Sequence, residues 1–292
     1  MNTRTDKNDI LSVTNLEKRY AGFTLDRISF SIPKGCIMGL IGENGAGKTT
    51  TIKAILELIS IDGGEIFLFG EKLDRNGDAL RGDIGVVLDE GNFPETLTAK
   101  QVSNVLSGIH DNWDGRLFFD MLRRMDVPDT RPIKDLSKGM RAKLGIASAL
   151  SHNPKLLIFD EATGGLDPVV REEILDLLLE FIADEERSVL FSTHITSDLD
   201  KVADFVTFLH AGRVVFTEQK DELLERMGVL KCGADDLRRI DPAYLVRKRE
   251  SSFSLDVLVN DRPYILSNFP KLVCDSATIE QIMLFYTRGK TI

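Results

Sequence analysis

Eight residues, Gly42-Glu43-Asn44-Gly45-Ala46-Gly47-Lys48-Thr49, separate an apolar run, Cys36 to Ile41, from an amphipathic stretch, Thr49 to Ile59. Three glycines in eight positions let a chain turn sharply, so the run reads as a buried strand and the stretch as a helix. Such a turn directs backbone N–H groups inward at the positive end of a helix, where an anion is favoured. The spacing G-x-x-x-x-G-K-[ST] is that of a phosphate loop. The backbone of Gly42, Asn44, Gly45, Ala46 and Gly47 would form the cradle. Lys48 would reach the β- and γ-phosphates, Thr49 would offer its hydroxyl to Mg2+, and Thr50 would hydrogen-bond the α-phosphate.

The surrounding pattern is that of an α/β fold. Ile84 to Leu88, Lys155 to Phe159 and Ser188 to Ser192 read as further buried strands, and Glu172 to Ala183 as a helix. Strands alternating with helices indicate a parallel sheet covered by helices. From about 93 to 150 the strand-like runs stop and helical stripes such as Leu117, Phe118, Met121, Leu122 and Met125 take over, which suggests a helical insertion. After about Arg226 short strands (Val229 to Cys232, Leu245 to Lys248, Ser254 to Val259) and a closing helix, Thr278 to Tyr286, suggest a small α+β appendage. The expected organisation is a phosphate-loop NTPase cassette over 10–226 and an accessory domain over 227–292.

A phosphate loop alone leaves kinases, GTPases, helicases and transport ATPases open. The strand Lys155-Leu156-Leu157-Ile158-Phe159 ends in Asp160-Glu161. Beside a phosphate loop, Asp160 would orient the Mg2+ shell and Glu161 would polarise the attacking water, a general-base role worth about 10²–10⁴ in rate. Gly165-Leu166-Asp167-Pro168 follows. No Asn-Lys-x-Asp guanine-reading motif occurs, which disfavours a GTPase. Leu136-Ser137-Lys138-Gly139-Met140 precedes another helical stretch. Ser137 there is at least an N-cap, and a serine with a side-chain-free Gly139 at a helix N-terminus can also touch a γ-phosphate.

The order phosphate loop, LSKGM, LLIFDE, GLDP and Ser192-Thr193-His194 resembles the ATP-binding cassette (ABC) transporter ATPase subunits, over about residues 10 to 220. The resemblance implies ATP with Mg2+, a second ATPase subunit arranged head to tail, and a separate membrane permease. Ser137 and Gly139 of one copy would close over the ATP held by the other. It also implies that His194 is the switch histidine at the γ-phosphate and that Tyr20 stacks on adenine. The wording around His152-Asn153-Pro154-Lys155, Asp184 to Ser188 and Trp113 looks most like the Ytr-type bacterial exporter ATPases.

The chain departs from the family's pattern at three places. Lys138 and Met140 alter the signature while Ser137 and Gly139 remain, and Ala162 replaces a common proline. Asp89 stands where the family has a glutamine contacting Mg2+; a carboxylate can still serve a hard cation, while adding negative charge beside the γ-phosphate.

Composition narrows the alternatives. With 292 residues, 42% hydrophobic, 28% charged and 9 prolines, the chain is expected to be globular. No run approaches the roughly 18 apolar residues of a membrane span, and Met1 to Ile10 carries no visible leader, so a cytoplasmic protein held at the membrane by its permease is expected. Three well-separated cysteines, Cys36, Cys232 and Cys274, read as free thiols. A net charge of −9 argues against nucleic acid as partner, and Arg247-Lys248-Arg249 reads as a solvated strand or loop. A soluble ABC ATPase acting on ribosomes or DNA is the competing class. One cassette, with about 90 residues between Lys48 and Ser137, disfavours it.

Overall fold

A computed structural model describes residues 8–73, 78–89, 93–250 and 255–292. Its centre is a six-stranded sheet ordered Arg213–Gln219, Phe205–His210, Ile37–Ile41, Ser188–Ser192, Leu156–Asp160 and Ile84–Leu88. All its neighbours are parallel except the hairpin of the first two strands. The strands Ile37–Ile41, Leu156–Asp160 and Ser188–Ser192 are buried throughout, because both faces are covered. Alternate residues divide between two cores. Met38, Leu40, Ile158 and Leu190 face one, while Ile37, Ile41, Phe159 and Phe191 face the helices.

The first of these cores is closed by an antiparallel sheet ordered Phe23–Pro33, Asp9–Tyr20, Gly63–Leu68 and Glu71–Lys72. This layer was not expected from the sequence pattern. Its period-two signal, visible in Ile28, Phe30 and Ile32, breaks at register shifts between Val13 and Leu16 and between Leu16 and Lys18. Asn15 and Arg27 near those shifts have left-handed backbones, φ 48° and 51°.

The helical stretch 93–150 is folded as Ala99–Leu106, Gly115–Arg124, a short 3-10 turn Ile133–Asp135 and Lys138–Leu150. Thr98 and Gln101 form a capping box on the first, and Asp114 caps the second. Trp113 Nε1 donates to Ser103 Oγ at 3.2 Å and tilts against Phe118, which tethers the segment between them. Two helix boundaries differ from expectation. The helix after the phosphate loop ends at Ile55, and the one expected from Glu172 begins at Pro168, because Asp167 caps it and proline suits the first turn.

Residues from Gly228 onward form a separate antiparallel sheet ordered Val273–Ser276, Gly228–Cys232, Leu255–Val259, Leu245–Glu250 and Lys290–Thr291. Its closing helix, Ile279–Arg288, leans back on the central sheet. Tyr286 meets Phe208 edge-on with centroids 5.6 Å apart, and Ile279 joins the helix-side core. The Arg247 and Arg249 guanidinium groups lie over Tyr286 and Phe285. The three cysteines are unpaired thiols. Among the described residues no helix is long and apolar enough to cross a membrane.

Candidate functional site

Strand register decides what meets at the C-terminal edge of the central sheet. Leu40 pairs with Ser192, Ser192 with Asp160, and Asp160 with Leu88. The segments starting at Gly42, Asp89, Glu161 and Thr193 therefore leave the sheet side by side, where open α/β sheets bind ligands.

The phosphate loop is held from both sides. Ala46 N donates to Glu43 O at 3.0 Å, and Gly212 N donates to Ala46 O at 3.1 Å. Gly47 has φ +112°, which strains any side-chain-bearing residue, and a Cβ there would lie 2.4 Å from Leu25 Cδ2, so the buried Leu25 side chain would also have to shift. Glu43, Asn44 and Gly45 are exposed, as are Thr49 and, in part, Thr50. Lys48 opens the helix with only 5% of its side chain accessible. Its Nζ donates to Gly42 O at 2.8 Å and lies 3.1 Å from Glu161 Oε1.

Glu161 is the hub of the site. Its other carboxylate oxygen, Oε2, contacts His194 Nδ1. The residue has a left-handed backbone, φ 57°, a conformation that costs a side-chain-bearing residue about 1–3 kcal/mol and gathers at functional turns. The turn is held because Glu161 N donates to Ser192 O at 2.9 Å and Gly164 N to Glu161 O at 3.1 Å. One carboxylate thus spans the phosphate-loop lysine and a histidine from the neighbouring strand.

Asp160, beside it, is buried, and its Oδ1 has no hydrogen-bond partner. Burial raises its pKa above the ordinary carboxylate value, opposed by the Ser192 and Thr49 hydroxyls and by Lys48, while Glu161 adds to the rise. Ser192 Oγ itself, though near, lacks a partner of hydrogen-bond geometry. An orphaned carboxylate oxygen next to a threonine hydroxyl is a donor set suited to a hard divalent cation, which prefers oxygen.

Among the described residues the other sequence candidates make no hydrogen bond or ion pair with Lys48, Asp160, Glu161 or His194. Ser137 caps the helix Lys138–Leu150, its Oγ accepting from Met140 N at 3.2 Å, and a Cβ added at Gly139 would lie 3.2 Å from Val170 Cγ1. Among the described residues neither bonds to the phosphate loop. Tyr20 ends its strand 46% exposed, with Lys18 Nζ 5.5 Å from the ring centroid. Asp89 is exposed and pairs with Lys138.

Sequence reading missed several supports of the site. His210 Nδ1 lies 3.0 Å from Glu43 Oε1. Gly212 follows in a two-residue turn with Ala211, both at positive φ; the Ala-Gly pair between two apolar runs was the available signal. Thr163, Arg171 and Asp198, which join the turns behind Glu161 and His194, carry no local pattern that marks them.

Comparison with known proteins agrees with this geometry. The family described as ABC transporter matches residues 25–164. The lantibiotic transport ATP-binding protein SrtF of Streptococcus pyogenes is 34% identical over 218 residues, 73% of this chain and 92% of that protein. The bacitracin transport ATP-binding protein BcrA of Bacillus licheniformis is 33% identical over 223 residues, 74% of this chain and 72% of its own. YtrB of Bacillus subtilis (strain 168), an ABC transporter ATP-binding protein, is 29% identical over 69% of this chain and 68% of its own. Among solved structures, cbiO1 of Clostridium perfringens, part of the ABC transporter complex cbiONQ, is 28% identical with a TM-score of 0.63, covering 73% of this chain and 89% of that one. These relatives are ATP-binding proteins of transporters, so the transporter class prevails over ribosome- or DNA-acting ATPases, and the chain belongs to the ATP-binding, ATP-hydrolysing subunits of ABC transporters.

Proposed function

We propose that this subunit binds Mg-ATP at Gly42–Thr50, hydrolyses it with Glu161 and His194, and works as one of a head-to-tail pair on a separate membrane permease. The observation that carries the reading is the Glu161 carboxylate between Lys48 Nζ, at 3.1 Å, and His194. A triphosphate competes for Lys48 with its own anionic oxygens, which frees Glu161 to accept a proton from water while His194 holds its other oxygen. Thr49 and Asp160 would hold Mg2+, with Asp89 near the end of its strand; the ion supplies charge neutralisation for the phosphates. Tyr20 offers an exposed ring for adenine.

Ser137 and Gly139 complete the pocket in trans, a reading supported by their place at a helix N-terminus and by the lack, among the described residues, of any bond to their own phosphate loop. Residues 10–226 are read as the ATPase unit and 227–292 as an accessory unit with its own sheet. The permease partner, and a place at the cytoplasmic face of the membrane, follow the subunit architecture of relatives such as cbiO1, part of the cbiONQ complex. Gel filtration of Glu161→Gln in Mg-ATP tests the scheme. The expected result is a loss of about 10²–10⁴ in phosphate release with accumulation of an ATP-bound dimer; a variant that stays monomeric at saturating Mg-ATP contradicts the paired mechanism.

A further inference from the structure

Behind the site lies a carboxylate that the hydrolytic scheme does not use. Asp198 is 2% exposed and sits four residues after His194, in the helix Thr196–Val202. Thr163, fully buried and two residues after Glu161, donates its hydroxyl to Asp198 Oδ2 at 3.0 Å. Arg171 Nη1 approaches Asp198 Oδ1 at 3.9 Å, while its Nη2 donates to Leu166 O at 3.3 Å in the turn that precedes Asp167. One interior carboxylate therefore joins the turn carrying Glu161, the helix that continues from His194, and the turn leading into Asp167-Pro168.

Burying a carboxylate is costly unless charge and hydrogen bonds compensate, and here the compensation is one hydroxyl, a guanidinium at 3.9 Å whose own Nε has no partner, the charge of Lys201 and a place in the first turn of its helix, against which burial still prevails. A group kept at such a disadvantage between two catalytic turns calls for a role beyond packing. We propose that Asp198 is a positioning residue for hydrolysis: through Thr163 it fixes the Glu161 turn against the helix of His194 and so keeps the two side chains in contact. The inference rests on Glu161 and His194 being the hydrolytic pair. The strained Glu161 backbone gives the mechanism its leverage, because a left-handed turn released from Thr163 relaxes and moves the carboxylate.

The test uses the full chain and steady-state phosphate release. Thr163→Val removes the hydroxyl and Thr163→Ser keeps it. Thr163→Val is expected to lower kcat about tenfold with KM for ATP within about twofold, the pattern of an interaction made only in the transition state. Thr163→Ser should restore kcat to near the parent value. Adding Asp198→Asn to Thr163→Val should lower kcat by less than the product of the two single effects, because both act on the Thr163–Asp198 bond while Asp198→Asn also weakens the Arg171 contact. Should Thr163→Val fail to fold, Asp198→Asn alone is read for the same split. An unchanged kcat, a loss shared equally by KM, or no rescue by serine overturns the proposal. Glu161→Gln separates this failure from that of the parent reading: if it is inactive while Thr163→Val is not, only the positioning role falls.

Discussion

Lys138 Nζ lies 3.2 Å from Asp89 Oδ1, so two of the positions at which this chain departs from the family's pattern touch each other. Lys138 is the first residue of its helix, where a cation opposes the helix dipole, and a carboxylate beside it relieves that opposition. Lys138 Nζ also hangs over the Gly165 turn, where an added Cβ would lie 3.4 Å away. The pair therefore links the end of the strand Ile84–Leu88, the signature turn and the turn after Glu161.

Both side chains are nearly half exposed, which limits the pair's worth to stability to about 0–1 kcal/mol. Its importance should show in turnover instead. Asp89→Gln is expected to leave Tm within about 2 °C, yet to raise the hydrolysis rate and shift its Mg2+ dependence by removing negative charge beside the γ-phosphate position. Phosphate release across a Mg2+ titration measures both. A rate and Mg2+ dependence equal to the parent's would remove Asp89 from the metal and phosphate environment.

Gly47 gives a second prediction. Its φ of +112° and the 2.4 Å approach of Leu25 Cδ2 to a Cβ both oppose any side chain, whereas Gly45, at φ +82°, faces open space. Gly45→Ala should cost about 1–2 kcal/mol of backbone strain and retain measurable nucleotide affinity. Gly47→Ala must also displace the buried Leu25 side chain or shift the phosphate loop, so nucleotide affinity should fall more than about tenfold. Fluorescence anisotropy with a labelled ATP analogue compares them, and equal affinities would show that the Leu25 contact yields without cost.

The legible part of this protein was the part in which sequence-local rules act. The phosphate loop, the strand ending in Asp160-Glu161 and the strand before His194 are short segments whose apolar runs and terminal residues are contiguous. The structure brings them to one sheet edge. The layer Asp9–Tyr20 and Phe23–Pro33 escaped because bulges near Asn15 and Arg27 interrupt its alternation. The Thr163–Asp198 bond escaped for a different reason: its partners are 35 positions apart, and a buried polar pair leaves no periodic trace. Lys138 and Asp89 were both noticed as departures, but nothing in the chain order says that they meet.

His110 and His152 supply a pH prediction. Their rings stack with centroids 4.1 Å apart and planes 16° from parallel. His152 is 3% exposed, with Nε2 3.2 Å from Ile84 O, which assigns the proton to Nε2. Burial lowers the pKa of both below the ordinary 6.5. His152 further lowers that of His110, while the hydrogen bond to Ile84 and the charge of Asp83 act against the fall in His152. The folded state thus binds fewer protons than the unfolded one as pH drops below 6.5, and stability must decrease with falling pH in that window. Above it the two histidines contribute no pH dependence. Between about pH 6.5 and 5 ordinary carboxylates remain largely ionised, and Asp160, Asp198 and Asp200, whose pKa values desolvation raises, act in the opposite direction, so a loss there reports on imidazoles. His152→Gln, which can still donate to Ile84 O, should lower Tm at pH 8 through lost packing, yet show a shallower fall of Tm from pH 6.5 to 5 than the parent. Each kcal/mol of differential protonation appears as about 2–4 °C in a chain of this size class. A variant whose Tm falls as steeply as the parent's would place the acid sensitivity elsewhere. Because this stack joins the turn after the helix Ala99–Leu106 to Ile84, the first residue of the strand Ile84–Leu88, its protonation would loosen the helical segment from the central sheet as well as destabilise the fold.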